Sequence, residues 1–509
     1  MDSKAKTTAI LVGAAVLGVL GLLANLSVVH APAPPSAVAP ASIQGLVGGT
    51  TPAPAPIVLA PAAAPVDAFL DATRLAPSDL LRLEPALSHP VLLAGDRREV
   101  YLQALVSAKA GPPTATARRS RVHLALVIDT SGSMEGDKLE STKSAARELL
   151  MRLEEGDRLA VVGYSDSARR VLSSTRVNEV ARARALAAIE SIRAGGSTNL
   201  SSGVDLAERE LLADREGEKL VHRIVLLSDG QANLGEIRPE RLFASAAGLR
   251  ERGVTLSSIG VGVDFNAQLM EGLAEHGGGR FRFLENPQEL AAAFTKELDL
   301  AATMVAGDVK VVLRPADGTH IEDVYGHLYE RVGRDVVVSI PDLATTTQIR
   351  VLARLSVQAV GGNVPVVESA VSFAEIVADR GGRVAVRGPA LAARITSSAE
   401  EVGRLADTDV LTHAINGRGI VEARRAIELY DQGRREEALA SLDRATDTVS
   451  AARVGFQAKA LSDSGGIFGN LRVLFAASSN ALGGEEGVNV RRTQRKAIRD
   501  FGSNNLASE

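Results

Sequence analysis

No cysteine occurs anywhere in the 509 residues, and no tryptophan either. The first absence excludes disulfides, thiolate metal sites, cysteine nucleophiles and a lipidated-cysteine anchor. It leaves an extracytoplasmic address open, because a chain with 45% hydrophobic residues can build a large core without covalent staples. Aromatic residues make up only 3%, so that core has to be assembled from Ala, Val, Leu and Ile. Excess charge is missing as well: 57 basic residues face 61 acidic ones, a formal net charge of -4. No surplus of cations is available to neutralise phosphates, which argues against nucleic acid as the main partner. Absent too are G-x-S-x-G, H-E-x-x-H and a Walker A lysine loop, the marks of common hydrolase and nucleotide sites.

Charge is also lacking locally, over residues 7–29, which follow Lys4 and Lys6. At a helical rise of 1.5 Å this stretch spans about 34 Å, the thickness of a bilayer core. A cleavable signal peptide would have a shorter apolar region of ~7–15 residues and a small-x-small site. Here Val29-His30-Ala31 is followed by Pro32, a poor residue after a cut. The expectation is a signal anchor over 1–30, a single pass with the body outside the cytoplasm, periplasmic or on the cell surface. Residues 31–66 hold nine of the twenty prolines and no charge, so they read as an extended linker.

The remainder is long enough for about three domains at ~150 residues each. Residues 121–303 alternate apolar strand candidates (Val122–Ile128, Leu159–Tyr164, Ile224–Leu227, Thr255–Val261, Arg280–Leu284) with helix candidates near 137–154, 178–193, 201–214, 238–252, 266–276 and 287–303. That alternation predicts a doubly wound, mostly parallel α/β sheet of six strands, with an antiparallel edge hairpin near Arg170. Residues 304–388 turn to a period of two, as in Val309–Arg314 and Gln348–Leu355, which predicts an antiparallel β-sandwich. Val91–Leu93 and Val100–Val106, within 67–120, are expected to complete it, making the α/β unit an insertion. Residues 389–463 read as a helical segment. Leu429-Tyr430 through Ala445 resembles part of a tetratricopeptide unit, but in one copy, so a helical hairpin packed on the body is expected. Residues 464–509, rich in Gly, Ser and Asn with a basic patch from Arg491 to Arg499, read as a solvated, flexible tail.

Chemistry concentrates where apolar strands stop. Leu124-Ala-Leu-Val-Ile-Asp129-Thr-Ser131-Gly-Ser133 ends a buried strand in a carboxylate and two hydroxyls. Gly195-Gly-Ser-Thr198 offers a hydroxyl in a glycine-rich loop, and Ile224-Val-Leu-Leu-Ser-Asp229 ends a second strand in a carboxylate. Asp129, Ser131, Ser133, Thr198 and Asp229 form an all-oxygen set suited to a hard divalent cation. In a doubly wound sheet, Asp129 and Asp229 end the first and fourth strands, which flank the reversal where ligands bind. Ser and Asp at such junctions also serve as helix caps. Asp166 and Asp264 read as turn residues and Asn199 as loop-shaping. His123 and His222 read as strand-start residues rather than bases.

This constellation resembles the von Willebrand factor type A (VWA) family, whose metal-ion-dependent adhesion site is D-x-S-x-S, then Thr, then Asp. All five positions match. Gly260-Val-Gly-Val-Asp264 and Gly277-Gly-Gly-Arg-Phe-Arg-Phe are similar to the family's last strands. The resemblance implies Mg²⁺ or Mn²⁺ held by Ser131, Ser133 and Thr198, with the aspartates acting largely through water. An open coordination position then accepts an acidic side chain from a partner protein. It further implies a mechanical link between the metal loops and helix 287–303, which is expected to run into the sandwich through Val305-Ala-Gly307. Gly307 is the hinge candidate because glycine tolerates dihedrals closed to other residues, and a rigid junction with the site permanently open is the alternative. The expected class is a bacterial, membrane-anchored binding protein and no enzyme. A scaffold in an envelope assembly and a metal-dependent hydrolase are the alternatives.

Overall fold

A computed structural model describes residues 80–109, 119–213, 220–262, 264–345, 347–376, 383–455, 459–477, 487–494, 496–497 and 507–508. The expected anchor and linker, 1–30 and 31–66, lie outside the described residues. Among the described residues no helix is long and apolar enough to cross a membrane.

The chain begins in one layer, leaves it for another, and returns. Strands β1 (Leu81–Leu87), β2 (Val91–Leu93) and β3 (Arg97–Ala108) come first. The six-stranded sheet follows: β4 (Val122–Asp129), β5 (Arg158–Tyr164), β6 (Ala168–Arg176), β7 (Val221–Ser228), β8 (Val254–Val261) and β9 (Gly278–Leu284). Between and after them run α1 (Asp137–Arg152), α2 (Glu179–Glu190), α3 (Leu200–Leu212), α4 (Pro239–Glu251), α5 (Ala267–His276) and α6 (Leu290–Ala302). The spatial order is β6-β5-β4-β7-β8-β9, with only β6 antiparallel, as the hairpin near Arg170 predicts. β4 and β8 are buried along their whole length, which explains why they read as unbroken apolar runs. Each fully buried Val, Leu or Ile contributes about 1.5–3 kcal/mol of burial, so aliphatic side chains carry most of this core, with Tyr164, Phe265, Phe283 and Phe294 as its few buried aromatics. The winding reverses between β4 and β7, the two strands that carry Asp129 and Asp229.

After α6 the chain enters β10 (Met304–Pro315), then β11 (Thr319–Tyr325), β12 (Leu328–Val332), β13 (Asp335–Ser339), β14 (Leu343–Ala344), β15 (Gln348–Gln358), β16 (Asn363–Glu375), β17 (Arg383–Arg387) and β18 (Leu391–Thr396). One sheet runs β1-β3-β15-β11, and the other runs β12-β13-β10-β16-β18-β2. β3 lies against β15 from Arg97↔Gln358 to Ser107↔Gln348, so strands on both sides of the α/β unit share one sheet. Alternate residues of β3 (Val100, Leu102, Ala104, Val106) meet Val311, Val338 and Val371 in the sandwich core.

Helices α7 (Ala399–Leu405), α8 (Thr408–Asp431), α9 (Arg435–Gly455) and α10 (Lys459–Ala477) follow, and a short β19 (Ala507–Ser508) pairs with β15. α8 covers the outer face of the sheet holding Tyr101, Tyr325 and Leu352. Gly417 permits this: a Cβ there would lie 3.4 Å from both Leu352 and Tyr325.

Three expectations change. Leu391–Thr396 is a strand rather than helix, because β16 and β2 offer it partners on both sides. The described part of 464–509 is no solvated tail: Phe468, Leu471, Phe475, Val490 and Ala497 are buried. Its basic residues meet the α/β unit, Arg491 with Asp264 at 3.2 Å and Arg492 and Lys496 with Glu285 at 2.7 and 2.8 Å. Finally, the hinge candidate Gly307 lies inside β10, beside a bulge at which Asp308 takes a positive φ (45°). Asp308 is pinned there by Arg250 at 3.2 Å, by Arg383, and by its amide donating to Asp342 at 2.9 Å. Such cross-linking makes a braced junction, since a left-handed φ in a non-glycine residue persists only where its surroundings hold it.

Candidate metal centre

Strand β4 delivers Asp129 to the carboxyl end of the sheet, and a short turn (Gly132–Met134) leads into α1. The Asp129 carboxylate is fully buried and held on both oxygens. Oδ1 accepts the Ser131 amide at 2.9 Å, and Oδ2 accepts the Ser228 hydroxyl at 2.9 Å. The Tyr164 hydroxyl, which donates to the Leu227 carbonyl at 2.9 Å, stands 3.4 Å from Oδ2. Burial pushes the Asp129 carboxyl above its ordinary value, and the hydrogen bonds from Ser131 pull the other way. A cation beside it would favour the ionised form.

The hydroxyls line up toward Asp229. Ser131 Oγ is 3.0 Å from Ser133 Oγ, which donates to Asp229 Oδ1 at 2.7 Å. Thr198 closes the group from the third loop: a Cβ built on Gly230 would lie 3.4 Å from Ser133 Oγ and 3.9 Å from Thr198 Oγ1. Both hydroxyls therefore border one small space beside Gly230, which stays open because that residue has no side chain. Of the five residues only Ser133 is exposed, so the group has a single mouth.

The Thr198 loop is held by Asn233 and by the Asp166 carboxylate, whose parts the sequence did not disclose, and by Asn199, the expected loop-shaping residue. Asn233 accepts the Thr198 amide at 2.9 Å and donates its own amide to the Thr198 carbonyl at 3.1 Å. Asp166 accepts the Ser197 amide at 2.8 Å and accepts through its carbonyl from Asn199 at 3.1 Å. Asn199 also caps α3 by accepting the Ser202 amide at 3.1 Å. Gly196 has φ 85°, and a Cβ there would strike the Asp166 carboxylate at 2.8 Å, so glycine is required twice over. Ser228 and Tyr164 also escaped sequence reasoning, because each sits at a strand end where a core role is the default. Lys138 did leave a signal. It is the second residue of α1, where the helix dipole disfavours a cation unless a carboxylate holds it. Its ammonium pairs with Asp229 Oδ2.

Can this oxygen set fit a divalent ion? Octahedral coordination at 2.0–2.1 Å requires neighbouring oxygens about 2.9 Å apart, whereas a Ca²⁺ cage needs wider spacing. The observed separations of 3.0 and 2.7 Å are hydrogen-bond lengths, and they already bring these oxygens as close together as octahedral ligands of a small divalent ion stand. Among the described residues no cluster of three or more His, Asp or Glu side chains is placed to hold a metal. Three hydroxyls beside two carboxylates are thus a lightly charged alternative. The histidines stand elsewhere: His123 and His222 pair across β4 and β7 at the opposite end of the sheet, rings 5.3 Å apart.

Residues 123–296 match the family model of the von Willebrand factor type A domain, and the chain contains such a domain. It is 32% identical over 205 residues to the uncharacterized protein sll0103 of Synechocystis sp., covering 40% of this chain and 47% of that one. It is 34% identical over 192 residues to the uncharacterized protein YfbK of Escherichia coli, covering 37% and 32%. The similarity thus spans about half of the first relative and a third of the second. A solved structure, von Willebrand factor type A from Catenulispora acidiphila, superposes with a TM-score of 0.63 at 17% identity, over 84% of this chain and 97% of that one. That likeness concerns fold alone, and it extends well past the VWA domain into the sandwich and helices.

Proposed function

We propose that the VWA domain binds a partner protein by holding Mg²⁺ or Mn²⁺ on Ser131, Ser133 and Thr198, with Asp129 and Asp229 acting largely through water. VWA domains mediate protein interactions, and the supporting observation here is the convergence of the Ser131, Ser133, Thr198 and Asp229 oxygens beside Gly230. When bound, the ion supplies an electrophilic position open to a partner's acidic side chain. The residues themselves do the selecting. Neutral hydroxyls leave the ion's charge little diminished, and the hydrogen bonds on Asp129 keep its carboxylate turned toward the site. Asn233 and Asp166 hold Thr198 in register with the D-x-S-x-S turn.

The exposed mouth at Ser133 faces away from the sandwich end of the sheet, so a partner approaches the carboxyl end. In this reading residues 7–29 anchor the chain, residues 31–66 act as a spacer, and the body lies outside the cytoplasm. Titration calorimetry on the full chain tests the metal. Asp129→Ala and Thr198→Ala should each abolish or strongly weaken Mg²⁺ and Mn²⁺ binding while the far-UV spectrum is retained. Unchanged binding in both variants would overturn the assignment. Cross-linking pull-down from native membranes should then recover a partner with Mg²⁺ and lose it with EDTA. Equal recovery in both would favour a scaffold.

A further inference from the structure

The two aspartates of the site are neutralised by different means. Asp129 is held by fixed donors, the Ser131 backbone amide on one oxygen and the Ser228 hydroxyl on the other. Asp229, with a side chain at 0% exposure, has the Ser133 hydroxyl on one oxygen and the Lys138 ammonium on the other. A buried carboxylate without compensation is costly, so in the metal-free domain its charge rests largely on one lysine. Lys138 is suited to leaving. Its side chain is 31% exposed, its stem lies beside Gly262, and its other contact is the Ser133 carbonyl at 3.3 Å. A flexible four-carbon stem can carry the ammonium to solvent without moving backbone.

We propose that Lys138 is a tethered counter-cation of the metal centre, seated on Asp229 in the metal-free domain and competing there with the incoming divalent ion. This rests on the metal reading above. Charge counting supports it. Two carboxylates and one ammonium leave the unfilled site at one negative charge; adding a divalent ion with the ammonium in place reverses the sign, whereas displacing it gives neutrality. Ion and ammonium therefore exclude each other at Asp229. The consequence is twofold: the unfilled site stays folded, and metal affinity is lower than the oxygen set alone would give. Binding also releases a cation at the mouth, beside the position a partner carboxylate would take.

The test has two arms on the full chain. In EDTA, thermal unfolding of wild type, Lys138→Met, Asp229→Asn and the double variant forms a cycle. Lys138→Met should lower the midpoint in the wild-type background and have little effect in the Asp229→Asn background. An equal loss in both backgrounds would overturn the counter-ion role. In the second arm, calorimetry with MgCl₂ should show Lys138→Met binding about tenfold or more tightly than wild type, with Lys138→Arg, which keeps the charge, near wild type. Equal or weaker Mg²⁺ binding by Lys138→Met would overturn the competition. If neither protein binds Mg²⁺ or Mn²⁺, the metal reading fails and the competition with it, while the EDTA arm still decides whether Lys138 neutralises Asp229.

Discussion

Strands β4 and β7 carry polar side chains at both ends, and the two ends have opposite fates. At the carboxyl end, Asp129 and Asp229 meet hydroxyls and one movable lysine beneath an open mouth. At the amino end, His123 and Arg223 are sealed, and His222 is half-buried against the His123 ring. Arg223 pairs with Glu297 of α6 at 2.7 Å, and Arg282 reaches the same carboxylate at 3.2 Å. Burial raises the Glu297 pKa, but Arg223 and Arg282 outweigh it, and the carboxyl sits below its ordinary value. Nearby, Arg250 donates to the Val309 and Ile340 carbonyls at 3.0 and 2.8 Å, bracing the α/β unit on the sandwich. Polarity alone does not separate the ends. Coverage does: where a second layer packs on the sheet, these charges find partners within the chain, and where none does, exchange with solvent, ion or partner remains open.

The sharpest way to break this comparison is to delete one charge from the sealed end. Glu297→Ala leaves Arg223 buried without its carboxylate and should cost about 3–5 kcal/mol in urea unfolding. Ser133→Ala at the open end should cost within about 1 kcal/mol, because water replaces the hydroxyl, yet lose Mg²⁺ binding. Equal stability losses would erase the distinction.

Acid offers the next test. Burial, then His222 and Arg158, lowers the His123 pKa to about 3, against 6.5 for the free side chain. Below pH 6.5 the unfolded chain therefore takes up a proton that the folded one refuses. Stability should fall on acidification by up to about 1.4 kcal/mol per pH unit from this group, down to its folded value. His327, lowered to about 4 by burial, adds to the same window. Denaturant unfolding of His123→Asn at about pH 7.5 and pH 5, on either side of the unfolded value, should show a shallower loss than wild type. An identical slope would remove the sealed end from the account.

The smallest effect lies on the flank, where α5 meets α8. Arg424 pairs with Glu271 at 2.7 Å and approaches Glu275 at 3.8 Å. Burial, then the neighbouring Glu271 carboxylate, raises the Glu275 pKa to about 7. A raised carboxyl favours the fold while protonated, so its contribution is complete below its unfolded value of 4.5 and is lost as pH rises through 7. Glu275→Gln should flatten that decline slightly, by an amount that solvent at the rim of the side chain keeps small.

Much of this was legible beforehand for a definite reason. Parallel strands buried on both faces must be continuous apolar runs, and strands that end in Asp-x-Ser-x-Ser or Ser-Asp-Gly show their polar ends as abrupt breaks. The sandwich was legible through its period of two. What escaped was what depends on neighbours distant in sequence. Leu391–Thr396 has no strong pattern and becomes a strand because β16 and β2 flank it. The Gly- and Ser-rich stretch through α10 lacks an obvious apolar stripe, yet Phe468 and Phe475 find a bundle core. Asn233 looked like any loop residue until Thr198 stood beside it.

By itself, then, the sequence determined the layers and the chemistry that each strand end carries, because periodicity and strand termination are local properties of the chain. Only the tertiary structure decided which charges are sealed and which are open. Whether Asp229 faces Lys138, whether Arg223 faces Glu297 and whether Asp308 takes a positive φ all follow from packing between segments 74 to 91 residues apart, and no local rule specifies a neighbour at that range.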